Sequence, residues 1–472
     1  MKMKPERRSD LFSPQFHLYP CEGWMNDPCG CSRFGDEYHV FFQYHEEPRP
    51  EGPGKWYHMS SEDLVTWKDY GIALEPAAPY EKDGCWTGSG LEVNREHHLY
   101  YSTNVDGRLP QQQPTLAVSR DGKTYRTVSA EPLIQDATPD GHTEMRDPKV
   151  FIRDGVFYML QGATRCGRGE IVGYSSMDGL EWEYRGVFYS SEKWMGNMFE
   201  CPDFFTLDGV DCLLFSPMNW TGHSNVLLTG KADFETFIFS HDQVFDLDAG
   251  SDFYAAQTLP HKDGGILLVG WLGNWGKPHP ECRYGWGGML TLPRRLRLDP
   301  DTRRLMQMPA KELETLRNKE YKATLSVGTT PVTLPEYLGN HMEVMIRLPD
   351  NFRKTDVLYL DLGIAGESAL TFSIDMEHGI IQIDKTMANQ GDNSIRTLLF
   401  SDTQEADGLE LRLFWDGSAC ELFIGDGGTV ISERLYPVEG EPVLSFYTKT
   451  EKHPLEVCAW PLESIYQKIV DE

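Results

Sequence analysis

Long apolar runs are missing from this chain: the best, ILLVGWLG from Ile266 to Gly273, falls well short of the ~20 residues that span a bilayer. It reads as one buried strand, so no membrane partner is expected. Positive charge is scarce as well. Lys and Arg number 44 against 72 Asp and Glu, and the net charge of −28 repels nucleic acid and anionic lipid. The ten cysteines, at positions 21, 29, 31, 85, 166, 201, 212, 282, 420 and 458, form no CxxC pair and keep no regular spacing, as in a chain held reduced. Cys21, Cys29 and Cys31 do not read as structural zinc ligands, because such sites want four ligands in closely spaced pairs. The basic start, MKMKPERRSD, meets polar residues rather than an apolar core segment and does not read as a secretory signal; a cytoplasmic location is expected.

What is present is aromatic and strand-like. Phe, Trp and Tyr make up 12% of the chain, a composition that suits β-structure and flat apolar ligand faces such as those of sugars. A phrase recurs as SSEDLVTWKDYG (Ser60 to Gly71), SRDGKTYRTV (Ser119 to Val128), SSMDGLEWEYRGV (Ser175 to Val187) and GKADFETFIF (Gly230 to Phe239). Its anchors Trp67, Tyr125, Trp182 and Phe237 lie 55 to 58 residues apart, the period of a four-stranded propeller blade. Short runs such as YHVFFQY and VFYMLQG, bounded by turn residues, supply the strands. With a fifth unit from about Asp252 to Leu298, the chain reads as all-β: a five-bladed β-propeller over 1–298, then a linker with one short helix over 299–320. A β-sandwich follows over 321–472, drawn from runs such as HMEVMIRL, VLYLDLG and GLELRLFWD.

In a propeller the residues that open each blade converge on a central funnel. Asp27 in WMNDPCG, Asp147 in MRDPKV, and Glu200 with Asp203 in ECPDFF open such units. Converging carboxyl groups, one ionised and one protonated, are what glycoside hydrolysis needs. The competing reading is that Asp-Pro steps are turn punctuation between strands.

These motifs, with FFQY (Phe41 to Tyr44), WTGS (Trp86 to Ser89), DFYAAQT (Asp252 to Thr258), GWLGNW (Gly270 to Trp275) and GWGGMLTLPRRL (Gly285 to Leu296), resemble the ordered motif set of glycoside hydrolase family 32. That family comprises β-fructofuranosidases: invertases, sucrose-6-phosphate hydrolases, inulinases and levanases. The resemblance implies a propeller followed by a sandwich, no cofactor, no metal, and a small carbohydrate substrate. It makes Asp27 the nucleophile of a retaining double displacement, Glu200 the acid/base with a raised pKa, and Asp147 the transition-state stabiliser. Arg146 is expected to orient the carboxylates and to hold Asp147 ionised by lowering its pKa. Asn26, Gln43, Trp56, Trp86, Thr87 and Trp286 match positions that bind the fructosyl ring, Trp56 and Trp286 reading equally well as core. Asp203 and Asp252 are expected to orient the site or to touch substrate, and Cys201 to be a buried packer.

Two departures stand out. Cys29 replaces the Asn of WMNDPNG, and the phrase resembling WGPMHWGH appears as EGPGKWYH, so Glu51 stands where a tryptophan would wall the sugar. A carboxylate near the leaving group disfavours a phosphorylated sugar, although Lys55 or Arg49 could offset it, and this tilts the expectation toward sucrose or short fructans. Sucrose-6-phosphate hydrolysis and fructosyl transfer are the rivals within the enzyme class; a catalytically inactive carbohydrate-binding propeller is the rival outside it. The sequence leaves a homo-oligomer open.

Overall fold

The recurring phrase is a turn. Ser61 Oγ accepts the Leu64 N–H at 2.8 Å, and Asp63 Oδ1 accepts those of Val65 and Thr66 at 3.0 and 2.6 Å. Ser119 with Asp121 and Ser176 with Asp178 repeat the arrangement. Short acceptors that satisfy nearby backbone donors favour turns over helix or sheet. In each case the turn links the third strand of a sheet to the fourth.

The computed structural model describes residues 10–191, 193–349, 352, 356–387, 392–400, 409–450 and 452–471. Within them, five sheets follow one another, antiparallel except that Trp286–Gly287 and Val470–Asp471 join the edges of the first in parallel. They begin with strands Gly23–Phe34, Cys85–Val93, Met145–Arg153, Phe199–Leu207 and Tyr254–Pro260, and each runs outward through its next strands in sequence order. The first strands touch in a closed cycle, each meeting the next and Tyr254–Pro260 meeting Gly23–Phe34. Glycine permits one of the closest approaches: a Cβ on Gly162 would lie 1.7 Å from the Phe199 carbonyl oxygen, so the third and fourth sheets could not meet beside Glu200 with any larger residue there.

The stretch expected as a linker holds more than a helix. Strand Leu305–Pro309 pairs with Arg294–Leu298 and closes the fifth sheet, because DPDTRR is a hairpin turn with Arg303 at φ 60°. The short helix is a 3-10 turn over Lys311–Leu316 whose Leu313 and Leu316 are buried. Two six-stranded antiparallel sheets then face each other across a core that includes Val344, Leu360, Phe372, Ile381 and Leu413.

The two halves share their cohesion. One apolar cluster joins Leu267 and Leu290 of the ring to Phe414, Phe423 and Ile465 beyond it. Arg294, fully buried, bridges Asp248 at 2.8 Å and Glu421, to which its Nε donates at 3.0 Å. The segment before the first strand runs between the halves, where Gly417 (φ 60°) lets the chain pass: a Cβ there would sit 2.6 Å from the Ser13 carbonyl oxygen. Strand Val470–Asp471 pairs parallel to Trp67–Leu74, so the end of the chain is tied to the first sheet.

Candidate active site

Every first strand breaks register at the same level. The shifts fall between Met25 and Pro28, Trp86 and Gly88, Glu200 and Asp203, and Tyr254 and Gln257, and on the third sheet opposite Leu160 and Gly162. These are β-bulges, which re-aim side chains and leave a residue unpaired. Asp147, Cys201 and Ala255 sit there with φ of 60, 49 and 53°. The Asp27-Pro28, Asp147-Pro148 and Cys201-Pro202 steps therefore lie inside strands, where a bulge tolerates a residue with no N–H to donate; they are not turns between strands.

The bulges gather two sets of residues. Asn26, Trp86, Arg146, Glu200 and Tyr254 precede them, and Asp27, Thr87, Asp147, Cys201 and Ala255 occupy them. Both oxygens of Asp27 accept hydrogen bonds: Asn26 Nδ2 donates at 3.0 Å to Oδ1, while Thr87 Oγ1 at 2.7 Å and Cys201 Sγ at 3.6 Å donate to Oδ2. Trp24 Nε1 fixes the Asn26 amide by donating to its oxygen at 3.0 Å. Asp147 accepts the Cys201 N–H at 2.8 Å and donates its own N–H to Ser102 Oγ at 2.9 Å. Glu200 lies 3.0 Å from Arg146 Nε and accepts the Tyr254 hydroxyl at 2.6 Å.

Charge on this floor is unbalanced: of the three carboxyl groups, Glu200 and Asp147 feel the guanidinium of Arg146, and Asp27 is held by neutral donors. Burial pushes the Asp27 pKa up, against the hydrogen bonds from Asn26, Thr87 and Cys201. Burial also raises Glu200, with Arg146 and Tyr254 opposing it, as its expected acid role requires. Asp147 departs from expectation. Burial first and the Glu200 charge second push it up to about 7, outweighing Arg146, because the bulge turns Arg146 toward Glu200 rather than toward its chain neighbour. Such a cluster titrates as a unit and does not ionise completely at neutral pH.

The other expected residues separate by burial. Trp86 remains partly exposed beside the site, and Gln43 is buried with its amide donating to the Cys85 carbonyl at 3.1 Å. Trp56 and Trp286 are core residues, 0% and 1% exposed. Trp56 packs between Phe41 and Tyr101 and supports Trp86 by donating to its carbonyl at 3.1 Å; Trp286 packs on Tyr19 and donates to Asp10. Asp203 is a strut, paired with Lys149 at 2.7 Å and accepting from Thr258, and Asp252 belongs to the contact with the sandwich through Lys385 and Arg434. Cys29 is a buried packer. Cys201 is buried too, but it also bridges Asp27 and Asp147. Glu51 pairs with Arg49 at 3.4 Å, both exposed, and does not line the cavity beside Glu200.

Sequence reasoning passed over Tyr254. The signal was there: aligning the five openings places Tyr254 at the position of Glu200, one blade later.

A cavity of about 520 Å³ opens on Glu200 and Tyr254. Three clustered carboxyl groups with raised proton affinities, one of them, Glu200, facing a cavity large enough for a sugar, define a glycosidase type of site. Residues 17–309 match the glycosyl hydrolases family 32 N-terminal domain, and residues 312–461 match the family 32 C-terminal domain. The chain belongs to glycoside hydrolase family 32. It is 32% identical to a sucrose-6-phosphate hydrolase of Escherichia coli over 94% of this chain and 93% of that one. A raffinose invertase of Escherichia coli is 31% identical, with 93% of each covered. The solved structure of a Bombyx mori family 32 β-fructofuranosidase superposes with a TM-score of 0.83 at 28% identity, covering 98% of this chain and 95% of its own.

Proposed function

We propose that the protein is a retaining β-fructofuranosidase that releases terminal β-D-fructofuranosyl units from sucrose-type substrates in the cytoplasm, with the five sheets serving as propeller blades. The convergence of Asp27, Asp147 and Glu200, joined through Cys201 and Arg146, carries this reading. Asp27 attacks the anomeric carbon of the fructosyl unit, the bond to the leaving oxygen breaks, and Glu200 delivers the proton to that oxygen. Water then enters on the same face, gives its proton to Glu200, and releases fructose from Asp27 with net retention.

Asp147 and Glu200 raise each other's proton affinity, so they work as partners in one proton. Fructosyl hydroxyls that donate to Asp147 favour its anion, and the proton then resides on Glu200, where departure of the leaving group needs it. Asn26, Thr87 and Cys201 hold the nucleophile in line by hydrogen bonds to both its oxygens. Trp86 offers the remaining apolar wall.

The test is fructose release from sucrose by the wild-type protein and by Asp27→Ala. The wild type releases fructose and the variant, folded to the same melting temperature, does not. Release by both, or by neither, contradicts the reading.

A further inference from the structure

The amide of Asn26 has two ends of nearly the same shape, one a donor and the other an acceptor. With Nδ2 toward Asp27 the contact is a hydrogen bond of 3.0 Å; turned over, it would set an oxygen against the carboxylate. Trp24 decides between the two. Its Nε1–H donates to Asn26 Oδ1 at 3.0 Å and could not accept from Nδ2. Trp24 and Asn26 stand two residues apart on strand Gly23–Phe34, so both side chains leave the same face.

The aim of Asp27 therefore depends on what holds the Trp24 indole. Trp24 is 3% exposed and meets three rings from the stretch that follows strand Ile266–Trp271 or ends it: Trp271 at 5.9 Å, Trp275 at 6.0 Å and His279 at 4.6 Å. His279 is the nearest, set edge to face at 65°, and its other side stacks on Trp271 at 4°. Its Nδ1 lies 2.9 Å from Glu281 and 2.7 Å from Arg434 Nη1. Arg434 comes from the sandwich, at the end of strand Thr429–Arg434, and is buried with Asp252 at 3.0 Å and the Tyr436 hydroxyl at 3.0 Å. Contacts thus run unbroken from the sandwich to the active site, through Arg434, His279, Trp24, Asn26 and Asp27.

We propose that His279 is a positioning residue for the attack by Asp27: it holds Trp24 so that the Asn26 amide keeps its donor on the nucleophile, and Arg434 makes that grip depend on the sandwich. This rests on the reading of Asp27 as nucleophile. It gives the sandwich a part in the chemistry beyond cohesion, because a residue of the second domain braces the ring residue that aims the reacting carboxylate.

The experiment measures kcat and KM in the wild type, His279→Leu, His279→Phe, Trp24→Phe and the double variant His279→Leu/Trp24→Phe, on sucrose and on p-nitrophenyl β-D-fructofuranoside. In His279→Leu, kcat for sucrose falls roughly 10- to 100-fold while KM stays within about twofold. The loss in kcat/KM is the same on the nitrophenyl substrate, since a misaimed nucleophile slows attack whatever departs, whereas a disturbed Glu200 would spare the better leaving group. His279→Phe keeps a ring against Trp24 and loses the Arg434 contact, and its activity falls between; where His279→Leu does not fold, His279→Phe takes its place in every comparison. Trp24→Phe, with no N–H to offer Asn26, loses a similar factor, and adding the His279 change lowers kcat by no more than about twofold further. Arg294→Met, which weakens the contact between the halves elsewhere, retains kcat per folded molecule. Unchanged kcat in His279→Leu, a loss confined to sucrose, losses that multiply in the double variant, or a matching loss in Arg294→Met overturns the proposal. A folded wild type that releases no fructose from either substrate instead overturns the fructosidase reading beneath it.

Discussion

Buried carboxylates stand in two places in this molecule, and they differ in how many cations accompany them. Between ring and sandwich, cations accompany them: Arg294 serves Asp248 and Glu421, Lys385 and Arg434 serve Asp252, and His17 and His341 serve Asp416. Against the burial that opposes it, Lys385 and Arg434 hold Asp252 well below the usual carboxylate range, and partner cations hold Glu421 and Asp416 below it as well. Asp248 and Glu433 stay above, where burial outweighs the cations beside them. At the bulged ends of the first strands, Arg146 acts on Asp147 and Glu200 alone, and Asp27, Asp147 and Glu200 are all pushed up. Burial is common to both regions; between the halves partner cations overcome it at Asp252, Glu421 and Asp416 though not at Asp248 and Glu433, whereas at the bulged strand ends it is overcome at none of the three carboxyl groups.

Four substitutions break or sharpen that contrast, in descending order of effect. Asp27→Asn removes the proposed nucleophile and lowers kcat at least about 10⁴-fold, read by fructose release. Arg294→Met strips the cation from two buried carboxylates and destabilises the protein by about 3–5 kcal/mol in urea unfolding, while kcat per folded molecule is retained.

Asp147→Asn separates stability from activity. A carboxyl whose folded pKa, about 7, lies above its unfolded value of 3.8 binds more protons folded than unfolded. Its contribution to stability is therefore lost as pH rises between those values. The variant is inactive, yet it melts above the wild type at pH 8 and gains nothing at pH 4. A lower melting temperature at pH 8 would show that Asp147 is compensated like the interface carboxylates. The smallest effect belongs to Tyr254→Phe: losing its hydroxyl raises the Glu200 pKa further, lowers kcat/KM roughly 5-fold, and moves the basic limb of the pH profile upward.

How far each region could be read beforehand follows from what local sequence encodes. The recurring phrase was legible because its residues are adjacent in the chain, and the period of its aromatic anchors marked out the sheets; that Ser and Asp side chains fold it into a turn was not read. The three carboxylates were legible because blade openings recur. The orientation of Arg146 was not: neighbours in sequence normally point apart on a strand, and here the bulge decides where each goes. Trp56 was ambiguous because strand Lys55–Ser61 is buried on both faces, so alternation carries no inside or outside signal. The hairpin closing the fifth sheet hid in DPDTRR, whose charges suit a linker and a turn equally.

The most direct measurement is the anomeric configuration of the product when methanol replaces water as acceptor. A covalent fructosyl intermediate on Asp27, opened from the face the leaving group vacated, yields methyl β-D-fructofuranoside. The α anomer as the sole product would mean a single inverting displacement, with Asp27 acting as a base toward the acceptor, and would contradict the assignment of the nucleophile.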